Sequence, residues 1–195
     1  MPIYHSYGLS VLFLGLMLNK TLFLINKFDP TVVAKEIELN RIEVAILIPQ
    51  MINKLLDFKM ESLRCVVSCA DILPPSILQA ATGKFGDIVF NFYGTSETGL
   101  ATIATPAMLA IRPDTIGRPI RDEEGSFVLY VRSRFAMRAG YIRTGDIAAV
   151  DERGWYYLHG RADHLVVVNG VNVYPYTRTS YCRWCTNTRQ CSMPI

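Results

Sequence analysis

The stretch Asn91-Phe92-Tyr93-Gly94-Thr95-Ser96-Glu97-Thr98-Gly99 decides how the rest of the chain is read. It follows Ile88-Val89-Phe90, an apolar run that reads as a buried strand. Between Tyr93 and Glu97 come an aromatic ring, a glycine, two hydroxyls and a carboxylate. That set suits a nucleotide: a ring for a base, hydroxyls for phosphate oxygens, a carboxylate for Mg2+. A hard cation of this kind takes oxygen ligands and is shared between one or two carboxylates and the phosphates of a substrate. The plainer alternative is a turn at a strand end, since Gly, Ser and Thr gather in turns for local backbone reasons.

Outward from this stretch, toward the N-terminus, apolar runs alternate with amphipathic ones. Tyr7–Leu18 reads as a buried helix and Thr21–Ile25 as a strand. Asp29–Asn40 reads as a helix, Val44–Ile48 as a strand, and Pro49–Phe58 as a helix opened by its proline. Arg64–Ser68, Pro74–Phe85 and Ile88–Phe92 read as strand, helix and strand. Strands joined by helices of this length predict an α/β fold, a parallel sheet with flanking helices. In such sheets ligands bind beyond the carboxyl ends of the strands. The turns at Ser68-Cys69-Ala70-Asp71 and Tyr93–Glu97 both lie there. After residue 115 the texture changes to short, turn-punctuated β runs: Phe127–Arg132, Ile147–Val150, Trp155–His159 and Leu165–Val168. Asp151–Gly154 and Asn169-Gly170 are turn signals among them, and the segment reads as a small antiparallel β subdomain.

Composition narrows the class. Of 195 residues, 50% are apolar and 19% charged, which supports a packed core and excludes disorder as the general state. The formal charge of +3, with no basic run, gives no footprint for nucleic acid. An odd count of five cysteines, with no signal-peptide pattern, predicts a reducing, cytoplasmic compartment. Cys182-x-x-Cys185 with Cys191 lacks a fourth zinc ligand at a usual spacing. The apolar segment Gly8–Ile25 is cut by Asn19-Lys20 into pieces of 11 and 5 residues. A span needs about 20 apolar residues, so no transmembrane segment is predicted.

Six tracts together resemble the adenylate-forming, AMP-binding superfamily of acyl-CoA synthetases, aryl-CoA ligases, luciferases and peptide-synthetase adenylation domains. Pro2-Ile-Tyr-His5-Ser-Tyr7-Gly8 is similar to the family's histidine tract beside the acyl pocket. Ser68-Cys69-Ala70 resembles its adenine loop, and Tyr93-Gly-Thr-Ser-Glu97 its Tyr-Gly-x-Thr-Glu signature, with Ser in the Thr place. Thr115-Ile-Gly-Arg-Pro119, Tyr141-Ile-Arg-Thr-Gly-Asp146 and Gly160-Arg-Ala-Asp163 followed by Asn169–Pro175 resemble the later tracts, in the family's order. The resemblance implies ATP, Mg2+ and the cosubstrate CoA. It also implies roles. Tyr93 stacks on adenine beside Ser68, Cys69 and Ala70; Ser96 bonds the α-phosphate; Glu97 ligates Mg2+. Asp146 accepts both ribose hydroxyls, Arg161 reaches ribose or phosphate, and Asp163 marks a hinge. His5 lines the junction of the acyl and pantetheine channels, with Tyr7 and Gly8 as pocket wall, and Asn91, Gly94 and Thr95 complete the nucleotide contacts. Each has a plainer reading: His5 as a core histidine, Asp146 as a turn cap, Asp163 as an ion-pair partner of Arg161.

Departures from the family matter too. No Gly-rich phosphate loop is present, and no lysine follows Lys84. Eight residues separate Pro119 from Val128 where the family has a longer hairpin. The expectation is therefore a copy truncated at both ends, with part of the nucleotide site and impaired catalysis. The expected units are 1–115 for the α/β part, 116–160 for the β-rich part, 161–175 for the hinge and the start of a further subdomain, and 176–195 for a divergent, disordered tail. Exposed apolar surface and self-association follow as expectations. The histidine tract, Ala101–Ala104 and Asn172–Pro175 look most like bacterial long-chain fatty-acid–CoA ligases, which makes a fatty acid the expected acid. Two rivals stay open: a non-catalytic remnant that binds nucleotide, and activation of an amino or aryl acid for a carrier protein.

Overall fold

Asp29 and Pro30 show how locally the helices are set. The computed structural model describes residues 5–96, 98–120, 144–161, 166–168 and 171–173. In it, helix α2 (Pro30–Leu39) follows helix α1 (Ser6–Met17). The Asp29 carboxylate accepts from Thr31 N at 2.9 Å and Val32 N at 3.1 Å, two amides that the first turn cannot satisfy internally. Proline fills the first position, where its missing N–H and fixed φ cost nothing; the same holds in α3 (Pro49–Leu55), α4 (Pro75–Phe85) and α5 (Pro106–Ile111). Arg41, at φ 49°, turns the chain out of α2 while Ile42 N reaches back to Ile37 O at 2.9 Å. This is a helix stop in which one left-handed residue satisfies the last carbonyls.

The strands that alternate with these helices are β1 (Val44–Leu47), β2 (Cys65–Ser68) and β3 (Val89–Thr95), and they pair in parallel. A five-stranded sheet of order β1-β2-β3-β4-β5 results, with β4 (Gly99–Ala104) and β5 (Arg118–Pro119) added antiparallel. The expected parallel sheet is present in β1–β3, and two antiparallel strands extend it into a mixed sheet. The cause is the tract Asn91–Gly99, which forms the end of β3 and the tip of a β3–β4 hairpin. A Cβ at Gly94 would lie 1.9 Å from the Gly99 carbonyl oxygen, so only glycine lets the two arms close. Val33, Ala34 and Ile37 of α2, Ile52 and Leu55 of α3, and Leu78 and Ala81 of α4 share one buried cluster with Ala45, Leu47, Val66 and Val89 of the sheet. Burying side chains such as Ile52 and Leu55 contributes about 1.5–3 kcal/mol each.

The N-terminal segment differs from its expectation. α1 is a helix, but Phe13, Leu14, Leu16, Met17 and Leu18 are all more than half exposed. It stops at Asn19, φ 51°, with Asn19 N bonded to Leu16 O and Lys20 N to Gly15 O. Thr21–Ile25 forms no strand. A strand is defined by a ladder, and no described residue pairs with this segment. Phe23, Leu24 and Ile25 stay exposed, while Leu22 packs its isopropyl group over Gly15. Among the described residues, no helix is long and apolar enough to cross a membrane.

The β-rich part contains the antiparallel pair β6 (Asp146–Val150) and β7 (Tyr156–Arg161). The Asp151 carboxylate organises their turn, accepting from Arg153 N and Trp155 N at 2.9 Å each and from the Tyr157 phenol at 2.7 Å. Ile116 N donates to Tyr156 O, and Tyr156 N to Gly117 O, both at 2.8 Å. These bonds and Thr115 Oγ1 to Tyr156 O at 2.9 Å tie the hairpin to the segment leading into β5. β8 (Val166–Val168) pairs antiparallel with β9 (Val171–Val173), and the expected Asn169-Gly170 turn lies outside the described residues. Phe127–Arg132, the Cys182–Cys191 group and the 176–195 tail lie outside the described residues.

Candidate functional site

Two strand ends come side by side first. Leu47, Ser68 and Asn91 are in register across β1, β2 and β3, so the Ser68-Cys69-Ala70 turn leaves the sheet beside the start of the Tyr93 hairpin. Ser68 and Asn91 are both buried; the Asn91 amide donates to Thr115 O at 3.3 Å, whereas Ser68 Oγ has no hydrogen-bond partner among the described residues. Cys69 N bonds Leu47 O at 3.1 Å, and its thiol points to the same carbonyl at 3.5 Å. Burial, only partly offset by a hydrogen bond with the Tyr7 phenol, pushes the thiol pKa up. This cysteine is a packed thiol, not a nucleophile. The Tyr7 contact also seats the first turn of α1 against the turn after β2. Ala70 sits at φ 65°, a left-handed conformation that a side chain disfavours and that the turn imposes.

The second grouping joins residues far apart in sequence. The Tyr93 hydroxyl donates to Asp146 Oδ2 at 2.6 Å. Asp146 heads β6 opposite Arg161 at the end of β7, and Arg161 NH1 reaches Asp146 Oδ1 at 3.4 Å. The Asp146 side chain is 14% exposed and that of Arg161 46%, so the carboxylate is the sheltered partner and the guanidinium the outward one. Gly145, at φ 77°, leaves room for this pair: a Cβ there would sit 3.0 Å from Arg161 NH2. Thr144 Oγ1 accepts from Asp146 N at 3.2 Å and its hydroxyl also bonds the Tyr93 phenol. Burial first, then the bond to Asp146, holds the Tyr93 pKa far above the ordinary phenol range, so near neutral pH the group is a fixed donor.

The remaining expected residues divide. Thr95 is tied locally, its Oγ1 accepting from Thr98 N at 3.2 Å across the hairpin tip. Ser96 is exposed in that turn, and His5 is exposed at the residue preceding α1. Glu97 and Asp163 lie outside the described residues. Among the described residues, no three His, Cys, Asp or Glu side chains gather to hold a metal ion. A Mg2+ ion carried mainly by phosphate oxygens needs no such group. Thr144 is the participant that the sequence reading does not single out as a site residue. Its signal was local: a Thr two residues before an Asp can hold that Asp's amide in a short turn.

Residues 1–128 match the family profile described as AMP-binding enzyme. The chain is 29% identical over 202 residues to 2-succinylbenzoate–CoA ligase of Staphylococcus aureus, covering 90% of this chain and 41% of that protein. It therefore spans about two-fifths of the length of the curated relatives it matches. Amide bond synthetase McbA from Marinactinospora thermotolerans superposes with a TM-score of 0.65 at 26% identity, over 80% of this chain and 39% of that one. O-succinylbenzoate coenzyme A synthetase (MenE) from Bacillus subtilis, in complex with the acyl-adenylate intermediate OSB-AMP, shares the fold with a TM-score of 0.77 at 23% identity, over 90% of this chain and 42% of that one.

Proposed function

Since the chain belongs to the AMP-binding enzyme family, we propose that it carries the adenylate-binding part of an ATP-dependent acid–thiol ligase. The observation that carries this reading is the contact of Tyr93 with Asp146, at 2.6 Å across 53 positions of sequence. One group is an aromatic face, the other a carboxylate, and the turn after β2 lies beside them. Adenine on the Tyr93 ring and ribose on Asp146 would use both. Arg161, a permanent cation paired with Asp146, is suited to a ribose or phosphate oxygen. Ser96 would bond the α-phosphate, with Glu97 on the Mg2+ that travels with the phosphates and His5 toward the acyl side.

In the reaction proposed, a substrate carboxylate oxygen attacks the α-phosphorus of ATP and pyrophosphate leaves. A thiol sulfur, that of CoA, then attacks the acyl carbon, and AMP leaves. For the acid we favour an aryl carboxylate over a long-chain fatty acid. The acids in the names of the curated relatives are succinylbenzoates, and the relatives reported above name no fatty acid. Calorimetric titration with a non-hydrolysable aryl-adenylate analogue tests the reading. Binding that Asp146→Ala weakens at least tenfold is the expected result. A folded chain that does not bind the analogue would refute the assignment. Binding without pyrophosphate release from ATP and acid would identify a nucleotide-binding remnant. Tighter binding of an alkyl-adenylate analogue than of the aryl one would restore the fatty acid.

A further inference from the structure

We propose that the Tyr93 hydroxyl is a positioning group, which holds the Asp146 carboxylate so that its free lone pairs select a nucleotide carrying both ribose hydroxyls. The inference rests on the nucleotide reading above and adds to it a role for the phenol oxygen distinct from that of the ring.

The argument is one of counting and direction. An ionised carboxylate offers about four lone-pair sites on two oxygens. Here one site on Oδ2 takes the phenol at 2.6 Å, and one on Oδ1 faces Arg161 NH1 at 3.4 Å. Among the described residues, one site on each oxygen then remains. Two adjacent acceptors on one carboxylate match two adjacent hydroxyls on a ribose, and match a ribose lacking them poorly. Direction comes from the same bonds. A carboxylate at a strand end swings about its side-chain torsions unless something holds it. Arg161 is a weak anchor: its side chain is 46% exposed and its contact with Asp146 is long. The phenol is a strong one. It is partly buried, short in its contact with Asp146, and braced from behind by Thr144, which also binds the Asp146 amide. Its backbone belongs to the β3–β4 hairpin, whereas Asp146 belongs to β6. The bond therefore also ties the base-stacking ring to the ribose acceptor, so that adenine and ribose meet surfaces fixed relative to each other.

The phenol oxygen and the ring can be separated experimentally, because Tyr93→Phe keeps the ring. The probes are AMP and 2′,3′-dideoxyadenosine 5′-monophosphate, titrated by calorimetry into the full chain and into Tyr93→Phe, Asp146→Asn and the double variant. The wild type is expected to prefer AMP. Tyr93→Phe should weaken AMP roughly tenfold, the scale of a lost hydrogen bond to a charged group, and leave the dideoxy nucleotide unchanged. In the Asp146→Asn background Tyr93→Phe should change neither affinity, since the group it positions has been replaced. An equal loss for both nucleotides would make the phenol a packing group and overturn the inference. So would tighter AMP binding by Tyr93→Phe, because the hydroxyl would then be competing with ribose. A wild type that binds AMP with a ribose preference that Tyr93→Phe retains overturns this inference alone. A wild type that binds neither nucleotide overturns the nucleotide reading with it.

Discussion

Helices α1 and α2 are both rich in apolar residues, and they meet opposite fates. In α2 the apolar positions Val33, Ala34 and Ile37 recur at helical spacing and lie at 6%, 5% and 3% exposure against the sheet. In α1 the apolar residues run almost without a break, and Leu14, Leu16 and Met17 remain 54%, 62% and 83% exposed. The difference teaches that apolarity sets how much a segment gains from burial, while pattern and an available neighbour decide whether it is buried. α2 presents one stripe to one sheet. α1 presents apolar groups all round, and the described neighbours bury only Gly15 and half-cover Tyr7, Gly8, Val11 and Leu12.

The sharpest way to break this comparison is a pair of truncations. Ile52→Ala, in the cluster that α2 joins, is expected to lower unfolding free energy by about 2–5 kcal/mol, since it opens a cavity in a closely packed core. Leu14→Ala should change it by less than about 0.5 kcal/mol. Urea titrations of the two variants decide the matter; equal losses would mean that α1 is as well buried in solution as α2. Replacing Leu14, Leu16 and Met17 together with serine should likewise leave stability unchanged while lowering the sedimentation-derived mass of any self-associated species.

Gly117 ranks next. Its φ is 87° and an added Cβ would lie 1.9 Å from the Ile103 carbonyl oxygen, so Gly117→Ala forces either strain or separation of β4 from β5. A loss of about 3 kcal/mol is expected, seen as a fall in the urea midpoint. Asp29→Ala removes the cap of α2 and should cost about 1 kcal/mol, with Asp29→Asn or Asp29→Ser restoring most of it.

Acid titration probes the β6–β7 hairpin. Burial raises the Asp151 pKa, but bonds from Trp155 N, the Tyr157 phenol and Arg153 N outweigh it and hold the carboxyl below its usual range. Burial first, and then the bond to Asp151, push the Tyr157 phenol up to about 12. A group with a lowered folded pKa stabilises above its unfolded value and loses that contribution as pH falls through the folded one. The wild type should therefore exceed Asp151→Asn in stability at about pH 6, by under about 1 kcal/mol because the group is largely solvated, and the gap should close as acidification protonates the carboxyl below the ordinary aspartate range. A gap that widens on acidification would reverse the assigned shift.

The same contrast explains what the sequence disclosed. From α2 to β3 each element was legible to within a few residues, because its start and stop are local: Asp29, a proline at each helix start, and short β runs between. β4 and β5 were not legible as strands, since their antiparallel pairing depends on the hairpin that Gly94 permits, a close approach with no local signature. Thr21–Ile25 was misread for the complementary reason: its residues favour a strand, but a ladder needs a partner that local sequence does not show. In the candidate site the participants Tyr93, Asp146 and Arg161 were each legible as residue types in order. Their contact was not, because 53 positions separate the phenol from the carboxylate and only the fold closes that distance.

An effect of opposite sign is expected at Ser68, in a strand buried from Val66 to its end. Its Oγ has no partner among the described residues, and the residue is 0% exposed. A buried hydroxyl left unsatisfied costs about 1–3 kcal/mol, whereas the void left by removing one oxygen costs less. Ser68→Ala should thus leave stability unchanged or raise it by up to about 1 kcal/mol, measured by urea titration. A clear loss would mean that the hydroxyl is satisfied in solution, by water or by neighbouring groups. A neutral or stabilised variant that also binds AMP more weakly would mean that the hydroxyl is kept for the nucleotide, at the expense of the core around it. Ser68 would then belong with the site side of β2, while Val66, two residues earlier and 1% exposed, belongs with the core alone.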